Sequence, residues 1–287
     1  MRIVSLLPSA TEICFALGAG PDVLGVTFEC DYPAEARTRR IVSTSNLPEG
    51  LTPAEVDAAV RARAAAGEDL YRLDRGALLD LDPDLVITQD LCTVCAIDVE
   101  GVEEALSYLG CEAEVVTTDP HDLDEVFDSI EQIGAAVGRS GQKLVETLRK
   151  RLAKVRIQGD TRVMLLEWTD PPYAPGHWIP EMVEYAGGQN VLGTAGVRSV
   201  RTTWPAIAAA RPEVIVSAPC GFDLDGASSL TQDLLDSGVL PGGVPVWAVD
   251  ANGCFARPGP RLVDGVEALA GLLHDGPVDP LVARRLS

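Results

Sequence analysis

Two stretches of the chain share one pattern, and this internal repeat constrains the fold more than any other feature. Residues 79–87 and 209–216 each show a helix end, a proline, an acidic residue and a short apolar run, followed by a loop that contains cysteine. Pro83 and Pro212 end the helix, and the β-branched residues after them favour a buried strand. The repeat spacing of about 130–160 residues is far above that of solenoids, so it indicates duplication of a whole domain.

The beginnings of the two halves correspond as well. Apolar runs at 2–7 and 162–166 are each followed by a loop and by a helix that ends at glycine, Gly18 or Gly187. Glycine suits the left-handed cap of a helix. Strands and helices therefore alternate in both halves, which predicts two α/β lobes with parallel sheets covered by helices.

The predicted elements define three segments. Strands are expected at 2–7, 23–27, 85–88, 113–117, 162–167, 214–217 and 245–249. Helices are expected at 9–18, 52–65, 75–81, 100–109, 179–187, 204–210, 228–237 and 259–273. The expected domains are an N-terminal α/β lobe over 1–121, a linking long helix over 122–156 and a C-terminal α/β lobe over 157–287.

The linking segment has helical periodicity. Its recurring apolar residues are Val126, Ile130, Ile133, Val137, Leu144, Leu148, Leu152 and Val155. Gly138 and Gly141 can kink such a run without ending it. One long helix would join the lobes more stiffly than a flexible glycine-serine linker does.

Composition excludes several classes of protein. Apolar residues form 46% and charged residues 23% of the chain, which is typical of a packed protein and not of a disordered one. No apolar run reaches the roughly eighteen residues that a membrane-spanning helix needs. The net charge of −20 argues against nucleic acid and anionic lipid as partners, because like charges repel.

The N-terminus is typical of a strand and not of a signal peptide. The apolar run at 3–7 contains Ser5 and stops at Pro8, whereas an export signal needs an apolar region of roughly 7–15 residues. We therefore expect a cytoplasmic location, or a periplasmic or extracellular one if a leader precedes this chain. In a reducing compartment the seven cysteines are expected as free thiols or ligands and not as disulfides.

Ligands of open parallel sheets bind beyond the carboxyl ends of the strands. The predicted loops there are 8–12, 28–33, 89–95, 118–120, 168–178, 218–223 and 250–257. They contain Cys30, Cys92, Cys95, Cys220 and Cys254, and these loops would meet in one cleft if the lobes face each other. Cys14 and Cys111 lie in or beside apolar segments and are expected in the core.

The cleft cysteines have three interpretations. Cys92 and Cys95 form a C-x-x-C pair, which is redox-active in thioredoxin-like proteins. Alternatively the thiols hold zinc, copper(I) or an iron–sulfur cluster, or ligate cobalt. The candidate metal ligands are Cys92, Cys95, Cys220, Cys254 and His177. In the third interpretation the thiols line the cleft without a ligand.

His177 and several aromatic residues lie in the same loops. His177 is either a histidine hydrogen-bonded within a loop or a ligand to a metal or cofactor, and Glu181 follows one helical turn later. The aromatic residues are Trp168, Tyr173, Trp178, Trp204, Phe222 and Phe255. They indicate either core packing or a flat apolar wall for a planar ligand. No G-x-S-x-G elbow, Walker loop or strand-linked G-x-G-x-x-G turn is found, so an enzyme is not expected.

Several motifs, in order, resemble one protein family. Residues 2–13 resemble the opening of the cobalamin-binding components of ABC importers. Further matching motifs are Val26-Thr27, Asp31-Tyr32-Pro33, 83–87, Trp204-Pro205, 211–216 and 255–261. The resemblance extends from residue 2 to about residue 273, and the broader family also binds heme and ferric siderophores. The chain is identified as a member of this substrate-binding family, with many cysteines and no expected leader.

The resemblance implies two Rossmann-like lobes joined by one long α-helix, with a ligand cleft between the lobes. It implies that Tyr32 and the 168–178 loop flank a corrin, and that Asp250 and Arg257 touch its amide side chains. It also implies an ABC permease as a partner. The residues expected to contact cobalamin or another corrinoid are Cys30, Asp31, Tyr32, Trp168, Tyr173, His177, Trp178, Phe222, Asp250, Phe255 and Arg257.

Three functional hypotheses follow. The first is binding of cobalamin or a related metal chelate in the interlobe cleft. The second is a cysteine-ligated metal or iron–sulfur protein, with or without enzymatic activity, on the same scaffold. The third is an adaptor without a small-molecule ligand. The fold alone does not decide among them.

Overall fold

A computed structural model describes residues 1–89, 112–155 and 158–287. The chain divides into unit 1, Met1–Pro120 with Glu125–Glu146, and unit 2, His121–Asp124 with Thr147–Ser287. Each unit has its own main sheet. The expected helix at 100–109, the Cys92 and Cys95 pair and Cys111 lie outside the described residues.

Unit 1 is built on one sheet. Its described strands are β1 (Ile3–Ser5), β2 (Val23–Thr27), β3 (Arg40–Ser45), β4 (Tyr71–Leu73), β5 (Leu85–Gln89) and β6 (Glu114–Thr118). Their order across the sheet is β4-β3-β2-β1-β5-β6, and they run parallel except for β4, which is antiparallel to β3. Every residue of β5 is buried, as expected for a strand of a covered parallel sheet.

Helices alternate with the strands of this sheet. They are α1 (Pro8–Ala16), α2 (Pro53–Ala66), α3 (Arg75–Leu81) and, from the linking segment, α4 (Leu123–Ala136). Thr52 and Glu55 form a capping box at the start of α2, and Gly67 ends that helix with a φ of 68°. The core between α3 and the sheet includes Val4, Leu6, Val42, Leu78 and Val86.

Unit 2 contains a larger sheet and a small antiparallel one. Its described strands are β7 (Thr161–Leu166), β8 (Trp168–Thr169), β9 (Pro172–Ala174), β10 (Gly188–Asn190), β11 (Val200–Arg201), β12 (Val214–Ser217), β13 (Val246–Val249) and β14 (Ala283–Arg285). The larger sheet has the order β10-β7-β12-β13-β14, with β14 antiparallel, and the small sheet has the order β11-β9-β8. The sequence pattern predicts neither the small sheet nor β14, because runs of two or three residues show no periodicity.

The remaining helices alternate with these strands. They are α5 (Gln142–Val155), α6 (Ile179–Tyr185), α7 (Trp204–Ala209), α8 (Leu224–Ser237), α9 (Leu262–Leu273) and a π-helix at Asn252–Ala256. The predicted α/β class with parallel sheets is confirmed. In the part of the chain that the structure describes, the helices are too short or too polar to cross a membrane.

The linking segment at 122–156 differs from the single long helix expected there, because it forms two helices, α4 and α5. Gly138 has a φ of 66°, and its N–H donates to the Ala135 carbonyl at 3.1 Å. The N–H of Arg139 donates to the Gly134 carbonyl at 2.8 Å. These two hydrogen bonds and the left-handed glycine close α4, so the glycine ends the helix and does not merely kink it.

The sequence repeat occupies equivalent places at the amino edges of the two main sheets. β1 lies between β2 and β5, and β7 lies between β10 and β12. The Arg2 N–H donates to the Asp84 carboxylate at 2.7 Å, and the Arg2 guanidinium donates to it at 2.8 Å. The Arg162 N–H donates to the Glu213 carboxylate at 2.9 Å. In both units the acidic residue after the proline thus anchors the start of a central strand.

Candidate functional site

The carboxyl edge of the unit 2 sheet carries most of the predicted contact residues. β7 ends at Leu166, and Glu167 leads directly into β8 and β9, which are joined by a turn at Asp170. Trp168 and Tyr173 face each other across these two strands, and β11 pairs with β9. The small sheet therefore carries the chain beyond the main sheet before α6 begins.

Two aromatic side chains, one from β8 and one from the loop after β12, meet at this edge. The ring centroids of Trp168 and Phe222 are 6.0 Å apart, with an angle of 47° between the planes. Trp168 Nε1 donates to the Asp170 carbonyl at 3.0 Å, which fixes the indole. Trp168, Phe222 and Tyr173 are all partly exposed, so they offer apolar surface to a ligand.

Three other predicted aromatic residues pack into the core. Trp178 is 5% exposed and Phe255 is 1% exposed, and Trp178 Nε1 donates to the Phe255 carbonyl at 2.7 Å. Trp204 begins α7 and packs against a cluster that includes Met164 and Ile207. Core packing, one of the two interpretations from the sequence, describes these side chains.

His177 lies in the turn before α6 and has a φ of 48°. Its N–H donates to the Val197 carbonyl at 2.6 Å, and its carbonyl accepts from the Gly196 N–H at 3.0 Å. The ring centroid lies 5.4 Å from that of Trp178 and 6.3 Å from that of His121, to whose ring it is nearly parallel. Its Nε2 is buried and has no hydrogen-bond partner among the described residues.

The surroundings of His177 favour its neutral form. Burial lowers the pKa of His177, and the charges of His121 and Arg198 lower it further. A neutral imidazole with an unused nitrogen can take a hydrogen bond or bind a metal centre. Glu181, one turn later, accepts a hydrogen bond from the Leu123 N–H at 2.9 Å, so its carboxylate is engaged with the start of α4.

Glu167 belongs to the same edge, although no sequence pattern singles it out. Its Oε1 accepts from the Gly176 N–H at 3.0 Å, and its carboxylate also accepts from the Ser199 hydroxyl. Burial raises the pKa of Glu167 to about 7, against the opposing effect of these two hydrogen bonds. Ser199 is distant in sequence and lies in an irregular segment, so no local motif could identify the contact.

The loop after β13 is held by internal polar contacts. Asp250 Oδ1 accepts from the Gly253 N–H at 3.0 Å, and Oδ2 lies 3.7 Å from the Arg261 guanidinium. Arg257 is 9% exposed, and Cys254 is 2% exposed within the π-helix. Such π-helical turns are frequent at functional sites. The expected contacts of Asp250 and Arg257 with a ligand stay predictions.

The carboxyl edge of the unit 1 sheet presents exposed aromatic rings. Phe28 and Tyr32 are 42% and 48% exposed. Asp31 lies 3.8 Å from the Arg37 guanidinium. Cys30, in the same loop, is 4% exposed and therefore lies in the core, whereas Tyr32 is about half exposed.

The described cysteines differ in exposure. Cys14 is 0% exposed, which confirms its expected place in the core, and burial raises the pKa of its thiol to about 12. Cys30 Sγ lies 3.1 Å from the Thr11 hydroxyl. Cys254 is buried and Cys220 is exposed. Of the four described thiols, Cys220 is exposed and the other three are buried, so the four do not line one exposed surface together.

The predicted metal site stays a prediction. Its candidate ligands were Cys92, Cys95, Cys220, Cys254 and His177. Cys92 and Cys95 lie outside the described residues. Among the residues that the structure describes, no three histidine, cysteine or carboxylate side chains are placed to hold one ion. The described residues alone therefore do not form such a site.

Comparison with known proteins gives matches over almost the whole chain. The family model described as "Periplasmic binding protein" matches residues 3–239. YvrC of Bacillus subtilis, an uncharacterized ABC transporter substrate-binding lipoprotein, is 27% identical over 95% of this chain and 80% of its own length. The vitamin B12-binding protein of Vibrio cholerae is 25% identical over 95% of this chain and 88% of its own length.

Solved structures agree with this assignment at the level of the fold. A periplasmic heme binding protein from Pseudomonas aeruginosa has a TM-score of 0.70 and 19% identity, covering 100% of this chain and 95% of its own. The match to the family model confirms the family resemblance of the sequence motifs. The chain belongs to the periplasmic binding protein family, the substrate-binding proteins of ABC importers.

Proposed function

We propose that this protein binds cobalamin or a related corrinoid or metal chelate for an ABC importer. The observation that carries the proposal is the pair of partly exposed rings, Trp168 and Phe222, at the carboxyl edge of the unit 2 sheet. Phe28 and Tyr32 are exposed at the carboxyl edge of the unit 1 sheet. Rings of this kind suit a large flat ligand, because they bury its apolar faces with little loss of side-chain freedom.

His177 supports a ligand that carries a metal centre or a hydrogen-bonding group. Its Nε2 is buried without a partner among the described residues. A buried polar atom without a partner costs free energy in the ligand-free protein. A ligand that engages Nε2 removes this cost, so the free energy of binding includes a favourable contribution from His177.

The relatives support the same class of ligand and a transport partner. The Vibrio cholerae relative is named for vitamin B12, and the Pseudomonas aeruginosa structure is named for heme. YvrC is named as an ABC transporter substrate-binding lipoprotein, so we propose an ABC permease as the partner. A permease partner favours the periplasmic or extracellular location over the cytoplasmic one that the N-terminal sequence suggests, and fractionation of cells that express the natural gene tests the two alternatives.

An absorption spectrum tests the proposal. The purified protein is incubated with hydroxocobalamin, desalted and scanned in the visible range, and we expect retained corrin bands. Trp168→Ala should weaken binding about fivefold or more, because one aromatic contact is worth roughly 1 kcal/mol beyond its buried area. Tyr185→Ala, at the far end of α6, is the matched control and should bind as the parent does.

The outcomes separate the ligand classes. Retained corrin bands that Trp168→Ala weakens and Tyr185→Ala leaves intact support a corrinoid at this edge. Retention of hemin without retention of hydroxocobalamin overturns the corrinoid in favour of heme. Retention of neither, with no shift of the melting temperature by either compound, overturns chelate binding as a function.

The cysteine-ligated metal hypothesis is tested separately by metal analysis. The protein is purified without oxygen, and bound zinc, iron and copper are measured in the parent and in the Cys92→Ser, Cys95→Ser double variant. A thiolate site predicts lower metal content in the double variant. Equal metal content in the two proteins would exclude these two cysteines as ligands.

A further inference from the structure

The backbone of Glu167 is fixed at the carboxyl edge of unit 2. Its N–H donates to the Tyr173 carbonyl at 3.2 Å, and its carbonyl accepts from the Cys220 N–H at 3.0 Å. The first hydrogen bond joins Glu167 to β9, and the second joins it to the loop after β12. Because two elements hold its main chain, the direction of its side chain is well defined.

The carboxylate of Glu167 reaches two further loops. It accepts from the Gly176 N–H at 3.0 Å and from the Ser199 hydroxyl. Gly176 belongs to the turn into α6, and Ser199 lies just before β11. Gly176 is buried, so its N–H needs an acceptor within the protein. The carboxyl of Glu167 provides this acceptor.

The same two loops approach closely along their backbones. A Cβ added to Gly176 would collide with the Ser199 nitrogen and the Val197 carbonyl oxygen. The His177 N–H donates to that Val197 carbonyl at 2.6 Å. Val197 and Val200 nevertheless remain 50% and 55% exposed. The segment of Val197 and Val200 therefore buries little apolar surface of its own, so polar contacts contribute to holding it against the loop of Gly176.

We propose that Glu167 is a positioning residue, whose carboxylate ties the loop of Gly176 and His177 to the loop of Ser199 and so holds His177 in place for the ligand. When the ligand is bound, the tie slows the opening of the two loops and therefore the release of the ligand. The effect on release rests on the proposed function. The tie itself is a property of the ligand-free protein and is tested without a ligand.

The first experiment measures hydrogen exchange in the ligand-free protein. Glu167→Ala should speed exchange in peptides that span 174–178 and 194–199 by about tenfold, whereas Glu167→Gln, which keeps an acceptor oxygen, should restore most of the protection. Glu213→Ala is the matched control, because it removes a carboxylate that also accepts a backbone N–H, from Arg162, at the opposite edge of the same sheet. It should leave both peptides unchanged.

The second experiment measures the dissociation rate of cobalamin by displacement with excess free ligand. Glu167→Ala should release cobalamin about tenfold faster than the parent, and Glu167→Gln and Glu213→Ala should release it at nearly the parental rate. Ser199→Ala, which removes one of the two contacts, should lie between the parent and Glu167→Ala. It also provides the test if Glu167→Ala does not fold.

The outcomes distinguish this proposal from the proposed function. Unchanged exchange of the 174–178 and 194–199 peptides in Glu167→Ala and Ser199→Ala overturns the tie. Faster exchange with an unchanged dissociation rate overturns the positioning role and leaves a structural contact. Failure of the parent protein to retain cobalamin overturns the proposed function, while the exchange experiment still decides whether the tie exists.

Discussion

The two main sheets agree at their amino edges and differ at their carboxyl edges. At the amino edge, Arg2 and Arg162 begin equivalent strands, and each donates its N–H to an acidic residue, Asp84 or Glu213. In both units the residue before the proline adopts a left-handed conformation, with φ of 42° and 47°. The same sequence pattern thus builds the same local geometry twice. In both units this geometry anchors the start of a central strand.

The carboxyl edges differ in the length and content of their loops. β1 ends at Ser5 and α1 begins at Pro8, whereas β7 ends at Leu166 and α6 begins only at Ile179. The longer connection in unit 2 contains two strands of the small antiparallel sheet. Loops at this edge can differ in length without disturbing the strands of the sheet. Ligands of open sheets bind at the same edge. The shared amino edge is therefore structural, and the divergent carboxyl edge carries the proposed binding residues.

Of the substitutions considered, Trp178→Ala should lower the free energy of unfolding most, through the carboxyl edge of unit 2. The substitution empties a core position that is 5% exposed and leaves the Phe255 carbonyl without its donor. Replacement of a buried large aromatic residue by alanine costs about 3–5 kcal/mol. Urea denaturation should show this loss, and hydrogen exchange should show it in unit 2 before unit 1.

Trp178→Phe separates packing from hydrogen bonding at the same position. The ring is mostly retained and the Nε1 donor is lost, so we expect a smaller loss of about 1–3 kcal/mol. Equal losses for the two variants would mean that the hydrogen bond to Phe255 dominates. A negligible loss for Trp178→Ala would contradict the placement of this side chain in the core.

Glu167→Gln should change how stability depends on pH. Burial raises the pKa of Glu167 from 4.5 to about 7, so the folded protein binds this proton more tightly than the unfolded chain. Its stabilising contribution is therefore full below pH 4.5 and is lost as the pH rises through 7. One pKa unit is about 1.4 kcal/mol, so the full loss is at most about 3.5 kcal/mol.

The measurement compares the free energy of unfolding of the parent and of Glu167→Gln between pH 5 and pH 8. The variant lacks this titration, so its stability relative to the parent should increase as the pH rises. Glu213→Gln, which removes one charge from the exposed amino edge, controls for the change of net charge. Parallel pH profiles for the parent and Glu167→Gln would contradict the raised pKa of Glu167.

The same contrast explains how much of the fold could be predicted from the sequence. The strands β5 and β12 follow helix-ending prolines and consist of apolar runs, and α2 has the Thr52 and Glu55 capping box. Such signals are local, so the sequence alone predicts them. The end of α4 at Gly138 depends on a left-handed backbone that glycine permits but does not require. The short strands of the small sheet are too brief to show a period.

The site could be predicted in part for a related reason. The rule that ligands bind at carboxyl edges selects the loops of Trp168 and Phe222, and the structure brings their rings together. It does not distinguish them from Trp178, whose partner is the main chain of Phe255. Glu167 acts through Gly176 and a distant serine, so its role becomes visible only when the loops are folded.

The smallest predicted effect tests the equivalence of the amino edges. Asp84→Ala and Glu213→Ala each remove an exposed carboxylate that anchors a strand, and each should lower the melting temperature by only about 1–3 °C.

Arg2 donates its guanidinium to Asp84 and lowers the pKa of that carboxyl, so the contribution of Asp84 is present at neutral pH and is lost on acidification. The Arg162 guanidinium donates to main-chain carbonyls instead. High salt should therefore reduce the effect of Asp84→Ala more than that of Glu213→Ala, because salt screens ion pairs more than hydrogen bonds to the main chain. If salt reduces both effects equally, the acidic residues act through charge at both edges, and the shared backbone hydrogen bond is not the basis of the equivalence.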